Sequence, residues 1–179
     1  MRIRIIGSCG SGKSTLAKRL SERYGIPYYE IDNMTWDRSS DNKKYPEDVR
    51  DETLRTVVRS DHWIIEGVQY HDWTLDSIGK ADLVLLLNPH VLVRDYRIVR
   101  RFVLSRTGIR PWNYKQSFAN LRKMIVEWNH RYDVGAVLRI AERLGNEPII
   151  VRNMKEAIPC IEACLSAAKQ VGELVRAAR

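Results

Sequence analysis

The sequence predicts an α/β chain, a parallel sheet covered by helices on both faces, and three observations predict it. Short apolar runs at residues 3–6, 63–65 and 83–87 alternate with stretches whose apolar residues recur at helical spacing. The run at 83–87 is apolar without a break, the pattern of a strand buried on both faces. A glycine-rich segment, Gly7-Ser8-Cys9-Gly10-Ser11-Gly12-Lys13-Ser14, stands between the first strand and the first helix, where a doubly wound sheet opens its ligand crevice.

Ile3, Ile5 and Ile6 form the first strand, and Leu16, Ala17 and Leu20 give the following helix its inner face, with Lys18, Arg19 and Glu22 outside and a stop at Gly25 and Pro27. The segment between them fits G-x-x-x-x-G-K-S/T, the P-loop pattern. Glycines let backbone N–H groups turn toward phosphate oxygens without a Cβ in the way, and the helix N-terminus adds partial positive charge. Lys13 is placed to reach the β- and γ-phosphates of a nucleotide, and the Ser14 hydroxyl to ligate Mg²⁺.

A second strand at 28–31 ends at Asp32, a candidate substrate contact or a turn residue ahead of the polar stretch 37–44, and Trp36 lines a pocket or covers core. Pro46 opens a helix with Val49, Leu54, Val57 and Val58 on its apolar side. The third strand, from His62 through 63–65, ends at Glu66 and Gly67; an acid at that point can give a second contact to Mg²⁺ or water, or cap the next turn. Residues 83–87 are the fourth strand, stopped by Asn88-Pro89, and 148–151 the last, before a helix from about Met154 whose Pro159 predicts a kink or a late start.

From Val91 to Leu104, Leu92, Val99 and Val103 fall on one side of a helix and Arg94, Arg97 and Arg101 on the other, with Arg100 beside them. Arg106 and Arg110 follow on a loop broken by Gly108 and Pro111, and Phe118, Leu121, Ile125 and Trp128 mark another amphipathic helix. A basic stripe running into a loop suits a phosphate-clamping lid, spanning about 97–125, as well as a plain solvated helix face.

With 179 residues the chain is expected to be a single domain, 1–179. Its three cysteines have no zinc spacing, and no charged-then-apolar leader or long apolar run is present, so a reduced, cytoplasmic setting without membrane partners is expected. A net charge of +8 and a pI near 9.6 suit an acidic partner, a phosphorylated small molecule or a nucleic acid.

Residues 5–17, Gly-Ile-Pro-Tyr-Tyr-Glu-Ile-Asp at 25–32, Trp-Ile-Ile-Glu-Gly at 63–67 and Arg-Pro at 110–111 together resemble the P-loop kinases of small molecules, of the adenylate, shikimate and gluconate kinase kind. Within these the chain is similar to the adenylate-kinase-related proteins labelled DNA topology modulation protein, FlaR type. The resemblance implies a P-loop NTPase fold, three layers αβα with a five-stranded parallel sheet in the order 2-3-1-4-5 and a small helical lid, and ATP with Mg²⁺ as cofactors. It implies nucleotide contacts from Gly7, Ser8, Cys9, Gly10, Ser11, Gly12, Lys13, Ser14 and Thr15, with Ser14 and Glu66 at the metal. Lys13, Arg97 and Arg101 take the catalytic positions, and Asp32, Trp36, Glu66, Gly67, Arg106 and Arg110 the acceptor side. The nucleoside monophosphate kinases follow their Asp-Gly with a Phe-Pro-Arg whose arginine holds the acceptor phosphate, whereas Val68-Gln69-Tyr70 stand here. The resemblance therefore carries phosphoryl transfer to a small acceptor without naming it.

Two other readings stand beside that one: a nucleic-acid-associated protein affecting DNA topology, and an ATPase switch. No helix-turn-helix, zinc or RNP signature is present, so nucleic-acid binding is expected to be weak and salt-sensitive. Oligomeric state is left open.

Overall fold

The computed structural model describes residues 1–37, 43–107 and 117–177, with side chains described as far as residue 167. β1 (Arg2–Ile6) runs through the glycine-rich loop into α1 (Lys13–Tyr24), and β2 (Tyr28–Glu30) into the short α2 (Ile31–Thr35). β3 (Trp36–Asp37) and β4 (Lys43–Lys44) form a small antiparallel hairpin, and α3 (Glu47–Val58) returns the chain to β5 (Trp63–Gly67). A 3-10 turn (Asp72–Thr74) and α4 (Leu75–Gly79) precede β6 (Leu83–Leu87). Then come α5 (Val91–Arg106), α6 (Phe118–Ile125), a π-helical turn (Val126–His130), α7 (Val134–Arg143), β7 (Ile149–Val151) and α8 (Met154–Ala177).

Five strands form one parallel sheet in the order β2-β5-β1-β6-β7, which counted along the chain among those five is 2-3-1-4-5. The two-residue period of a strand sorts its side chains between two cores. Ile3, Ile5, Ile64, Leu83, Leu85 and Leu87 face α1 and α8, meeting Leu16, Ala17, Leu20 and Ile161. Ile6, Trp63, Ile65, Val84 and Leu86 face the opposite layer, where Ile31, Leu54, Ile78 and Val137 cover them. This is the expected three-layer arrangement of the P-loop NTPase class.

Several elements depart from the sequence expectation. β2 stops at Glu30, so Ile31 begins α2 and Asp32 lies in a helical first turn rather than at a strand end. The polar stretch after Trp36 holds a hairpin, and α4 and α7 lie in segments where no helix is expected. α8 starts at Met154 with Pro159 inside it, so there is no late start. Val49 is exposed, leaving Leu54 and Val58 as the buried residues of α3.

The largest correction concerns α5. Leu92, Val99 and Val103, the apolar side in the sequence, are 67%, 41% and 49% exposed, and the buried residues are Arg94, Ile98 and Phe102. These three are four apart and form one inner stripe; Arg94 can join it because the glycine-rich loop offers its guanidinium a hydrogen-bond acceptor. Of the basic residues of α5, Arg94 is buried and Arg101 half-buried, while Arg97 is exposed and reaches the loop from its rim. α6 shows a milder form of the same effect: Met124 is buried, while Phe118 and Trp128 are exposed.

Candidate active site

Register brings the site together. Ile5 pairs with Glu66 and Ile6 with Gly67, while Glu30 pairs with Glu66 on the other side, so the carboxyl ends of β1, β5 and β2 carry Gly7, Glu66 and Asp32 to one edge of the sheet. Glu66 is two residues beyond Ile64 and so points to the face covered by α1. There its Oε1 accepts a 2.6 Å hydrogen bond from the Ser14 hydroxyl, and its side chain is buried. The two residues expected to hold the metal therefore meet.

Three loop glycines are required by space or backbone angle. A Cβ on Gly7 would lie 2.4 Å from the Leu87 carbonyl oxygen, and one on Gly10 2.6 Å from that of Arg94. Gly10 and Gly12 hold φ of 75° and 101°, the left-handed region. Gly12 caps α1 without any side-chain cap, and no acidic residue stands in the first turn, so the N-terminal amides of a twelve-residue helix are left for an anion. Gly10→Ala combines a strained φ with a backbone clash and is expected to lower stability by about 2–4 kcal/mol, read as a fall in urea midpoint at unchanged m-value. A variant as stable as the parent would mean that the loop adapts and the cradle is not held by Gly10.

Cations surround this cradle. The Lys13 ammonium, nearly buried, donates to the Ser8 carbonyl oxygen at 3.1 Å. Arg97 Nη1 donates to the carbonyl oxygens of Ser11 at 2.7 Å and Gly10 at 3.3 Å, and Arg101 Nη2 lies 3.4 Å from Cys9 Sγ and 3.8 Å from Met124 Sδ. Arg94, 9% exposed, donates to Ser8 Oγ at 2.6 Å and to Asn88 Oδ1 at 3.3 Å, and burial lowers its pKa from the ordinary arginine value. Lys13, Arg97 and Arg94 are bonded here to backbone carbonyls, a hydroxyl and an amide oxygen, and phosphate oxygens are stronger acceptors than these.

Arg4 is fully buried on the face opposite Glu66. Its guanidinium donates to the carbonyl oxygens of Ile5, Ile65 and Gln69, the last at 2.6 Å, and burial lowers its pKa to about 10, so it remains charged at neutral pH. Tyr132, whose phenol is pushed up by burial, donates to Val68 O at 3.2 Å. Together they clamp Val68 and Gln69, and Gln69 Nε2 donates to Asp32 Oδ1 at 3.3 Å. Sequence reasoning missed Arg4, Gln69 and Asn129; an arginine inside an apolar strand was the available signal for the first.

The remaining expected site residues are dispersed. Trp36 lies on the hairpin, with the Lys44 ammonium 5.2 Å from its ring. Arg106 sits over the rings of Phe102 and Phe118, joining α5 to α6 rather than reaching the loop. Arg110 lies outside the described residues. A cleft of about 640 Å³ beside β2, lined by Tyr28, Tyr29, Asn33, Tyr45 and Val57 among others, includes none of the loop residues.

The donor set fits Mg²⁺ with a nucleotide. Among the described residues no group of three or more His, Cys, Asp or Glu side chains could hold a metal, whereas Mg²⁺ usually takes one or two protein oxygens and fills its shell with water and phosphate. Ser14 and Glu66 are two such oxygens. Among the described residues no helix is long and apolar enough to cross a membrane.

No protein-family model and no curated protein sequence matches the chain. Solved structures do. A shikimate kinase from Acinetobacter baumannii in complex with shikimate superposes with a TM-score of 0.55 at 16% identity, covering 93% of this chain and 93% of that one. An unliganded sugar kinase from Janibacter sp. gives 0.51 at 15%, with 92% and 94% covered, and a shikimate kinase from Aquifex aeolicus 0.50 at 18%, with 95% and 99% covered. At such identities the likeness establishes the fold.

Proposed function

We propose that this protein is a P-loop kinase that transfers the γ-phosphoryl group of ATP to a small-molecule acceptor, nucleotide-like compounds included among the candidates. The observation that carries this is the convergence on one glycine cradle of Lys13, the Ser14–Glu66 pair and the inward face of α5. The kinase names of the structural neighbours support the same class. So do the motifs shared with the adenylate-kinase-related proteins, though the chain lacks the acceptor arginine of the nucleoside monophosphate kinases.

In this reading the loop amides and the N-terminus of α1 hold the phosphates, and Lys13 leaves Ser8 O to meet the β- and γ-phosphate oxygens. Ser14 and Glu66 would hold Mg²⁺, whose charge offsets that of the phosphates. An acceptor hydroxyl oxygen bonds to the γ-phosphorus as the bond to the β–γ bridging oxygen breaks, ADP leaves, and the acceptor proton passes to Glu66 or Asp32. Arg97 and Arg101 meet the negative charge on the transferring group, and the rest of the lid expected at about 97–125 includes residues 108–116, which lie outside the described residues. In this reading the two arginines serve the phosphate loop, whose carbonyl oxygens and thiol they already reach, rather than a nucleic-acid backbone.

ADP release measured with MgATP and a panel of sugars, polyols, hydroxy acids, nucleosides and nucleoside monophosphates tests the proposal. One class is expected to raise release by about tenfold or more over protein alone, with a phosphorylated product appearing in equal amount. ATP hydrolysis that no acceptor accelerates would instead make the protein an ATPase.

A further inference from the structure

Behind the cradle runs a chain of buried polar side chains that neither the P-loop motif nor the proposed chemistry accounts for. Ser8 and Asn129 are each 1% exposed, and Arg94 is 9% exposed with its Nε buried and without a hydrogen-bond partner among the described residues. Arg94 Nη1 donates to Ser8 Oγ at 2.6 Å, Ser8 Oγ donates to Asn129 Oδ1 at 3.2 Å, and Asn129 Nδ2 donates to Asp95 Oδ1 at 2.6 Å. The His130 ring nitrogen Nε2 lies 2.8 Å from the other oxygen, Asp95 Oδ2.

The direction of this chain is fixed by chemistry. An ionised carboxylate only accepts, so the Asn129 amide must turn its NH₂ to Asp95 and its oxygen to Ser8. That oxygen, at 3.2 Å, is the nearer acceptor for the Ser8 proton, the Cys9 carbonyl oxygen lying at 3.4 Å, and a Ser8 lone pair is left facing Arg94. Each link is determined by the one before, starting at Asp95.

Asn129 reaches the loop only because the helix changes pitch. Met124, which touches Arg101, and Asn129 both point inward although they are five residues apart; continued as α-helix, the inward place four residues on would fall to Trp128, which is 47% exposed. The π-helical turn Val126–His130 supplies the extra residue.

We propose that Arg94 is a positioning residue of the phosphate loop, a buried cation aimed at Ser8 by the chain Asp95–Asn129–Ser8, and that through Asn129 the π-helical turn after α6 sets the geometry of the loop. Its consequence for nucleotide binding rests on the kinase reading; its effect on the loop itself does not. Three residues, Arg94, Asp95 and Asn129, thereby join the site from outside the motif, and two of them, Arg94 and Asp95, are neighbours on α5 that pull on the same loop residue from opposite ends of the chain.

Cys9, next to Ser8, reports the loop without nucleotide. In a parent carrying Cys160→Ser and Cys164→Ser, Cys9 is the sole thiol, and its rate of reaction with Ellman's reagent measures loop opening. Arg94→Met, Asn129→Ala and the isosteric Asp95→Asn are each expected to speed labelling by about fivefold or more, and Arg94→Lys to stay within about twofold of the parent. Titration calorimetry with MgATP should show about tenfold weaker binding in the same three variants and recovery in Arg94→Lys. Parent-like labelling in all three, at unchanged circular dichroism, overturns the proposal. Should Arg94→Met fail to fold, Asp95→Asn decides alone, because it keeps size and removes only the directing charge. Faster labelling in a protein that binds no MgATP would uphold this inference and sink the kinase reading.

Discussion

Lys13→Ala is expected to lower kcat/KM for ATP-dependent ADP release by about 10²–10³, the cost typical of removing one preorganised group aimed at developing negative charge. The reason lies in what the ammonium gives up. It is nearly buried and bonded to a single backbone carbonyl, Ser8 O, so moving to the phosphates exchanges a neutral acceptor for charged ones in a site already shielded from water. Stability should hardly change, since the substitution removes one hydrogen bond worth about 1 kcal/mol and trims a long side chain. Kinetics, calorimetry with MgATP and a thermal melt on the same preparation separate these effects. Parent-like turnover and affinity would show that the loop does not hold the nucleotide.

The sheet and the cradle were legible in the sequence for a physical reason: both are written in local pattern. The unbroken run at 83–87 has the length and pattern of a doubly buried strand, and glycines at 7, 10 and 12 announce the backbone angles and close approaches found there. Glu66 was legible as an acid directly after an apolar strand in a chain with a P-loop pattern, and Ser14 followed from the motif; the pairing of that strand with β1 is what brings the two together.

What stayed hidden depends on contacts between distant segments. An amphipathic pattern says that a helix has two faces; which face turns inward is decided by what the neighbour offers. For α5 the neighbour is a loop rich in carbonyl and hydroxyl acceptors, so Arg94 went in, Arg97 turned to the loop carbonyls, and Leu92, Val99 and Val103 stayed out. Arg4 was hidden for the same reason: a cation inside an apolar strand is tolerable only because the carbonyls of Ile65 and Gln69 reach it, and those belong to another strand and its loop. Asn129 was hidden twice, by a long-range partner and by a π-helical turn that breaks the 3.6-residue count.

The inward face of α5 also sharpens the expectation for its two outer arginines. Arg97 already spans the carbonyl oxygens of Gly10 and Ser11, and Arg101 reaches Cys9, so both stand at the loop before any nucleotide arrives. Ground-state phosphates are held mainly by loop amides and Lys13; charge gathering on the transferring group is what the guanidinium groups are placed to meet. Arg97→Ala and Arg101→Ala are therefore each expected to reduce kcat by about 10²–10³ while MgATP affinity falls by less than about tenfold. Combined, they should cost less than the product of the single losses, because two cations serving one transition state act as a unit. Arg100, exposed on the same helix, is the internal control, and its alanine variant should turn over like the parent. Single-turnover rates set beside calorimetric affinities make the comparison. Equal and mild effects at positions 97, 100 and 101 would mean that the basic face of α5 is only a solvated surface that happens to touch the loop, and that the transferring group is stabilised elsewhere.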